Sequence, residues 1–223
     1  FFISLLILHF VFLTCAIRFL YALLSNFITI NSSLLSVAVS FFIFGYLLLD
    51  KFNLIKFELF EWYPSPQIFF EFYLDRLSGV MMILISGLSL VIQLFSTSYM
   101  SKDEKYTKYF EYFNFFVFSM LLLVLSGNFL VMFFGWELVG LSSYLLISFW
   151  YEKNSAAKAG NKAFILNRIG DFGFLIGLMM ILNYFETFNF VNIFESVLIK
   201  QPSNIDLIIL FLLQKMKLEL LGL

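Results

Sequence analysis

Cysteine and histidine are almost missing from this sequence: Cys15 and His9 are the single representatives in 223 residues, and both lie in an apolar stretch near the start. One thiol cannot build a disulfide framework, and one imidazole beside it cannot complete a Cys/His metal cluster within the chain, so packing is the role expected of both. Charge is scarce as well. Asp, Glu, Lys and Arg make up 13% of residues, the formal net charge is −1, and no block of like charges suggests a disordered tail or a nucleic-acid surface. No nucleic-acid partner is expected. The opening residues, Phe-Phe-Ile-Ser-Leu-Leu, offer neither a basic leader nor a small-residue cleavage site, so they do not read as a secretory signal peptide, and they lack an initiator methionine. Also lacking are a nucleotide-binding loop, a metal-ligand spacing, a haem-attachment pattern and a hydrolytic nucleophile motif. No metal and no redox centre is expected within this chain.

What remains is apolar. Hydrophobic residues reach 61% and mean hydropathy is +0.93, against an apolar share of about 45–50% in soluble domains. Runs of about 20 apolar residues match the length an α-helix needs to cross roughly 30 Å of hydrocarbon. They fall at 1–24, 28–49, 77–99, 109–125, 129–150 and 163–185, and a shorter run at 205–213 is followed by Gln214, Lys215 and Lys217. The expected fold is an all-α polytopic membrane protein, a bundle of six complete transmembrane helices and a partial seventh, with the lipid bilayer as its solvent. Lys and Arg are retained on the side from which a protein inserts. Loops after the first, third and fifth spans hold Arg18, Lys102, Lys105, Lys108, Lys153, Lys158 and Lys162, against Lys51, Lys56, Arg76 and Lys200 on the other side. The N-terminus is therefore expected opposite the basic face. Between the second and third spans, Ile55-Lys56-Phe57-Glu58-Leu59 alternates with period two, Pro64-Ser65-Pro66 turns the chain, and an aromatic run follows. This predicts a surface hairpin near 52–73. The stretch 191–198 is short and amphipathic and reads as an interfacial helix.

From Tyr112 to Trp150 a single side chain is formally charged, Glu137, close to the centre of the fifth span. A carboxylate at that depth costs about 2.5–3.5 kcal/mol on insertion scales, so it faces a protein interior or a wet cavity with a partner, or carries a proton. Desolvation favours the neutral acid and a nearby cation favours the anion; a group held between the two is suited to a proton relay. The competing reading is a helix-packing hydrogen bond. Gly140 and Tyr144 share the face of Glu137 at i+3 and i+7, and Ser142 and Ser143 add polar capacity nearby. In the sixth span Arg168 and Asp171 stand at i and i+3 and can pair; Asn167 stands four before Asp171, which can accept from both. There the bland alternative is an arginine that snorkels to the headgroups and anchors the span. Lys162 at the mouth of that span is a further candidate, or simply obeys the orientation rule. Gly173 and Gly177 form a small-residue face suited to close helix packing, and Asp75-Arg76 fits a helix start.

The run Gly135-Trp136-Glu137-Leu138-Val139-Gly140-Leu141-Ser142-Ser143-Tyr144-Leu145-Leu146-Ile147 closely resembles the family of NADH dehydrogenase subunit 5, the antiporter-like membrane subunits of respiratory complex I. Asp75-Arg76-Leu77-Ser78, Ser98-Tyr99-Met100, the Tyr112–Asn128 span, and Lys162-Ala163-Phe164 through Asn167-Arg168-Ile169-Gly170-Asp171 follow in the family's order, so the resemblance covers roughly 70–185. It implies a multi-pass, proton-pumping subunit of the mitochondrial inner membrane with the basic loops on the matrix side. It implies an antiporter-like bundle, with 1–108 as N-terminal helices and 109–223 as the first part of a proton-channel unit. Glu137, Arg168 and Asp171 are the implied proton-transfer residues, with Lys162 and Tyr144 as additional candidates. In the family the glutamate works with a lysine of the seventh span. That motif has no counterpart around Lys215 or Lys217, so the partner lysine, and the rest of the unit, are expected in another chain of a split or truncated gene product. The enzyme implied is H+-translocating NADH:ubiquinone reductase, of which this chain is a non-redox subunit, not catalytic alone. NADH, FMN, iron–sulfur clusters and ubiquinone are expected in other subunits, and other complex I membrane subunits as partners. Alternatives are a subunit of a multi-protein Na+/H+ antiporter and a structural membrane subunit that no longer pumps.

Overall fold

The computed structural model describes residues 25–49, 54–64 and 67–199. The expected first span and the run beginning at 205, with Lys215 and Lys217, lie outside the described residues. The chain runs α1 (Ser25–Leu49), β1 (Leu54–Pro64), β2 (Gln67–Asp75), α2 (Arg76–Tyr99), α3 (Tyr106–Val124), α4 (Phe129–Ile147), α5 (Asn154–Phe185) and α6 (Phe190–Ile199). Among the described residues, four helical stretches are long and apolar enough to cross a membrane: Ile30–Leu49, Arg76–Tyr99, Phe129–Ile147 and Asn154–Phe185. The fifth, α3, has 19 residues, with Lys108 and Glu111 in its opening turns. This is a polytopic helical membrane protein.

Helix ends are set by local chemistry. Asp75 caps α2: Ser78 N–H donates to its Oδ1 at 2.7 Å while its own N–H donates to Ser78 Oγ at 2.8 Å, so two otherwise orphaned amides are satisfied together. Asn128 caps α4 by accepting from Val131 N–H at 2.8 Å. Glu186 closes α5 in the left-handed region, φ 56°, with its N–H on Leu182 O at 2.8 Å.

Each helix packs on the next along the chain, α1 on α2, α2 on α3, α3 on α4 and α4 on α5. Lipid tails are as apolar as leucine, so close approach and interhelical hydrogen bonds hold such a bundle. Gly135 on α4 supplies the first: a Cβ there would lie 2.8 Å from Leu123 Cα and 2.9 Å from Leu123 N on α3. Gly135→Val is expected to force the two backbones apart at a cost of about 3 kcal/mol, seen as a lower melting temperature in detergent. Polar side chains supply the second. Ser86 Oγ donates to Ser40 Oγ at 3.2 Å between α2 and α1, Gln93 Nε2 donates to Asn114 Oδ1 at 2.8 Å between α2 and α3, and Ser96 Oγ lies 3.1 Å from Tyr109 Oη.

The two ends of the bundle differ. At one, β1 and β2 pair antiparallel, and β2 is sewn to the 125–128 turn by Tyr73 N–H to Leu125 O and Gly127 N–H to Glu71 O, both 2.9 Å. Phe72 and Leu74 enter a core with Ile43, Leu47, Met82, Ile85, Leu121, Leu122 and Val131. At the other end the basic loops meet. Trp150 Nε1 donates to Asp103 Oδ2 at 2.9 Å, Lys105 Nζ pairs with Glu152 Oε1 at 2.5 Å, and Lys105 also lies over the Tyr151 ring. The indole and the Lys105 N–H hold the Asp103 carboxyl below its ordinary range, and the Glu152 hydrogen bond raises Lys105. A depressed acid stabilises the fold fully above its ordinary pKa and loses that contribution as pH falls through the lowered value. Acidification is therefore expected to free Trp150, read as its fluorescence in a variant with Trp62 and Trp136 replaced by Phe; Asp103→Asn should remove that acid transition.

Candidate functional site

The long apolar helix α4 places Glu137 nine residues beyond its cap Asn128, about 13 Å into the bundle at 1.5 Å per residue. On its neighbour α5, Arg168 and Asp171 lie on the turn that faces α4. Arg168 Nη1 makes an ion pair with Glu137 Oε2 and stands 3.7 Å from Asp171 Oδ2. Trp136 Nε1 on α4 donates to Asp171 Oδ1 at 2.8 Å. Two acids therefore share one cation across the α4–α5 contact, with side-chain exposures of 21% for Glu137, 37% for Arg168 and 8% for Asp171. The guanidinium also lies 4.7 Å from the Phe164 ring centroid, and Phe133, Trp136 and Phe174 stack beside the cluster.

Two expectations change. Arg168 does approach Asp171, but its closer partner is Glu137, so a cation for this partly buried acid stands on α5 of the same chain. Asp171 accepts from the Trp136 indole and not from Asn167, whose amide lies beside Gly140, 3.9 Å from where a Cβ would stand. The reason is rotational: Asp171 is turned into the α4 contact, where the indole already occupies its free oxygen. Lys162 is exposed on α5 and belongs to no ion pair among the described residues. Tyr144 packs its ring on Phe164, 5.2 Å between centroids, one turn from the guanidinium. Ser142 and Ser143 donate back to their own helix, to Val139 O and Gly140 O. Trp136 was not legible as part of the site, although it adjoins Glu137 and carries the one donor-only ring in that stretch. Among the described residues no group of three or more His, Cys, Asp and Glu side chains is placed to hold a metal ion.

Residues 62–110 match the family described as NADH-Ubiquinone oxidoreductase (complex I), chain 5 N-terminus, and residues 126–218 match NADH:quinone oxidoreductase/Mrp antiporter, TM. The chain is an antiporter-like sequence of the complex I chain 5 type. It is 37% identical over 199 residues to NADH-ubiquinone oxidoreductase chain 5 of Acanthamoeba castellanii, covering 83% of this chain and 29% of that one. It is 40% identical over 144 residues to NADH-quinone oxidoreductase subunit L of Rickettsia bellii, covering 64% and 22%. The antiporter-like chain thus spans about a quarter of the length of these curated relatives. Its fold is shared with a chain of the archaeal membrane-bound sulfane sulfur reductase, TM-score 0.71 at 22% identity over 84% of this chain and 38% of that one. It is shared too with a chain of the Mrp complex from Dietzia sp. DQ12-45-1b, TM-score 0.68 at 21% identity over 85% and 20%.

Proposed function

We propose that this chain is a proton-translocating membrane-arm subunit of an NADH:quinone oxidoreductase, in the mitochondrial inner membrane, and that Glu137, Arg168 and Asp171 form its proton-transfer site, the two acids taking the proton and Arg168 serving as the cation they share. The observation that bears this reading is the sharing of one guanidinium by two carboxylates between two membrane helices. Arg168 does not give up its proton in a protein, so the cluster has one formal charge in excess and one proton brings it to neutrality. A proton taken by Glu137 releases the guanidinium toward Asp171, already 3.7 Å away; loss of that proton draws it back. The cation thus moves between fixed acids while the proton passes. Tyr144 and Lys162 are further positions along this route toward the basic end. Other membrane subunits, one of them carrying the remainder of the antiporter-like unit, complete the path, and the flavin, iron–sulfur clusters and quinone sites lie in those other subunits.

A second reading has its own support. The match over 126–218 spans both the oxidoreductase and the Mrp antiporter group, and the same charge trio would serve Na+/H+ exchange. The deciding experiment purifies the assembly from its membrane and drives sealed vesicles with NADH. Acidification coupled to NADH oxidation, with flavin and iron–sulfur subunits copurifying, supports the first reading. Proton movement that needs a sodium gradient and no NADH overturns it. Assembly without any proton movement would leave a structural subunit.

A further inference from the structure

A second buried acid stands at the opposite end of the bundle from the basic loops. Glu71 on β2 is 2% exposed, and its side chain joins segments far apart in sequence. Its Oε1 accepts from Asn189 Nδ2 at 2.7 Å and from Asn128 Nδ2 at 3.2 Å, and its Oε2 meets Lys56 Nζ on β1 at 3.0 Å. Asn189 Nδ2 also donates to Tyr73 Oη at 2.6 Å.

The two asparagines are themselves fixtures of helix ends. Asn128 caps α4, its Oδ1 accepting from Val131 N–H, while its amide also donates to Phe69 O at 2.7 Å. Asn189 starts α6, accepting from Val191 N–H at 2.9 Å, and closes the turn that leaves α5. Each amide side chain is therefore held by a helix through its oxygen and by Glu71 through its nitrogen. The backbone adds a bridge between Asn128 and Asn189 and a bond from Phe129 N–H to Phe188 O at 3.1 Å. Between this end and the charge trio lies a packed cluster of Phe129, Leu178, Ile181, Phe188 and Ile193.

A carboxylate removed from water needs its charge and lone pairs met, and Glu71 meets them with groups that mark where α4 begins and where α5 is left. We propose that Glu71 is a positioning residue for the Glu137–Arg168–Asp171 cluster: it sets the spacing of α4 and α5 from their far ends. The proposal rests on reading that cluster as the proton-carrying site. Helices transmit a displacement at one end along their length, and the contact at stake is sensitive to it. Arg168 and Asp171 both stand on α5, 3.7 Å apart, and Glu137 stands on α4, so a small widening of the helix contact takes the guanidinium from Glu137, leaves it on Asp171 and parts Asp171 from the Trp136 indole. Lys56 is the cation facing Glu71 from β1, shared with Glu58 at 2.8 Å, and Tyr73 is the other titratable neighbour. Burial opposes the Lys56 ammonium, but hydrogen bonds to Glu58 and Glu71 outweigh it and raise its pKa. Burial, then the Glu71 charge, raises the Tyr73 phenol.

The test uses the native membrane assembly with Cys15→Ser, Phe133→Cys and Phe174→Cys; those two rings stack across α4 and α5 with centroids 5.3 Å apart. The rate of disulfide closure between the new cysteines reads the helix spacing without reference to transport. Glu71→Leu is expected to slow closure by about threefold or more, and Glu71→Gln, which keeps an oxygen for both asparagines, to restore most of the rate. Proton translocation per assembled complex should follow the same order. Unchanged closure in Glu71→Leu overturns the proposal. Where that variant does not assemble, Asn189→Ala removes one of the two donors and is read the same way, an unchanged rate again overturning it. Altered closure combined with transport indifferent to both Glu71 and Glu137 keeps the positioning role and removes the proton-carrying reading.

Discussion

Glu137→Gln is expected to lower proton translocation by about a hundredfold, the scale on which a positioned acid–base group acts, while the assembly forms at its normal level. Glutamine is nearly isosteric, still offers an oxygen to the Arg168 guanidinium, and removes one of the two acids that share it. The cluster then goes from one excess negative charge to neutral, and an ion pair with Asp171 remains. Packing has no reason to fail, because the amide is cheaper to hold among apolar helices than the carboxylate it replaces. The measurement is acidification of sealed vesicles at matched NADH oxidation, with complex content scored by native gel. Unaltered acidification in correctly assembled Glu137→Gln would leave the carboxylate a packing device.

Arg168→Leu should be the most damaging single change to stability. It strands Glu137 and Asp171 against each other between α4 and α5, and removing one member of a buried charge group costs about 3–5 kcal/mol. Arg168 is 37% exposed, which places the cost toward the lower end of that range. Assembled complex should fall accordingly. Adding Glu137→Gln to Arg168→Leu is expected to recover stability but not transport, because one stranded charge is gone while the relay remains broken. Arg168→Lys should fall between: an ammonium keeps the charge but lacks the planar fork that reaches two acids at once. Thermal unfolding in detergent and native-gel abundance measure the three variants together. Equal abundance of Arg168→Leu and the unsubstituted protein would mean that the acids are already protonated or wet.

Much of the candidate site is legible in the sequence. Glu137 declared itself by being the single charge in a long apolar stretch, and helical spacing put Arg168 and Asp171 on one turn. What spacing within each helix cannot report is which face of α5 meets which face of α4. That is why Glu137 read as an acid whose cation lay in another chain, and why Asn167 and not Trp136 was expected on Asp171. The close approach at Gly135, set against Leu123 backbone on α3, and the ring stack of Phe133, Trp136 and Phe174 fix how α4 sits among its neighbours. Both are contacts between segments. Glu71 was harder still, because alternation in β2 assigns it a side of the strand but says nothing of its depth, and its partners Asn128 and Asn189 come from two separate turns.

The medium and the element type follow from the sequence by itself. Composition demands a bilayer, run lengths demand helices, and the expense of an isolated carboxylate marks Glu137 as a position needing explanation. These are sums over local properties, and no long-range contact alters them. The tertiary structure alone decided who neutralises whom. Arg168 reaches Glu137 across a helix contact between residues 31 apart in sequence, and Glu71 gathers Lys56, Asn128 and Asn189 from β1 and two turns. The physical reason is the same in both places: inside a membrane a charge is tolerable only beside its partner, and packing, not proximity along the chain, chooses that partner.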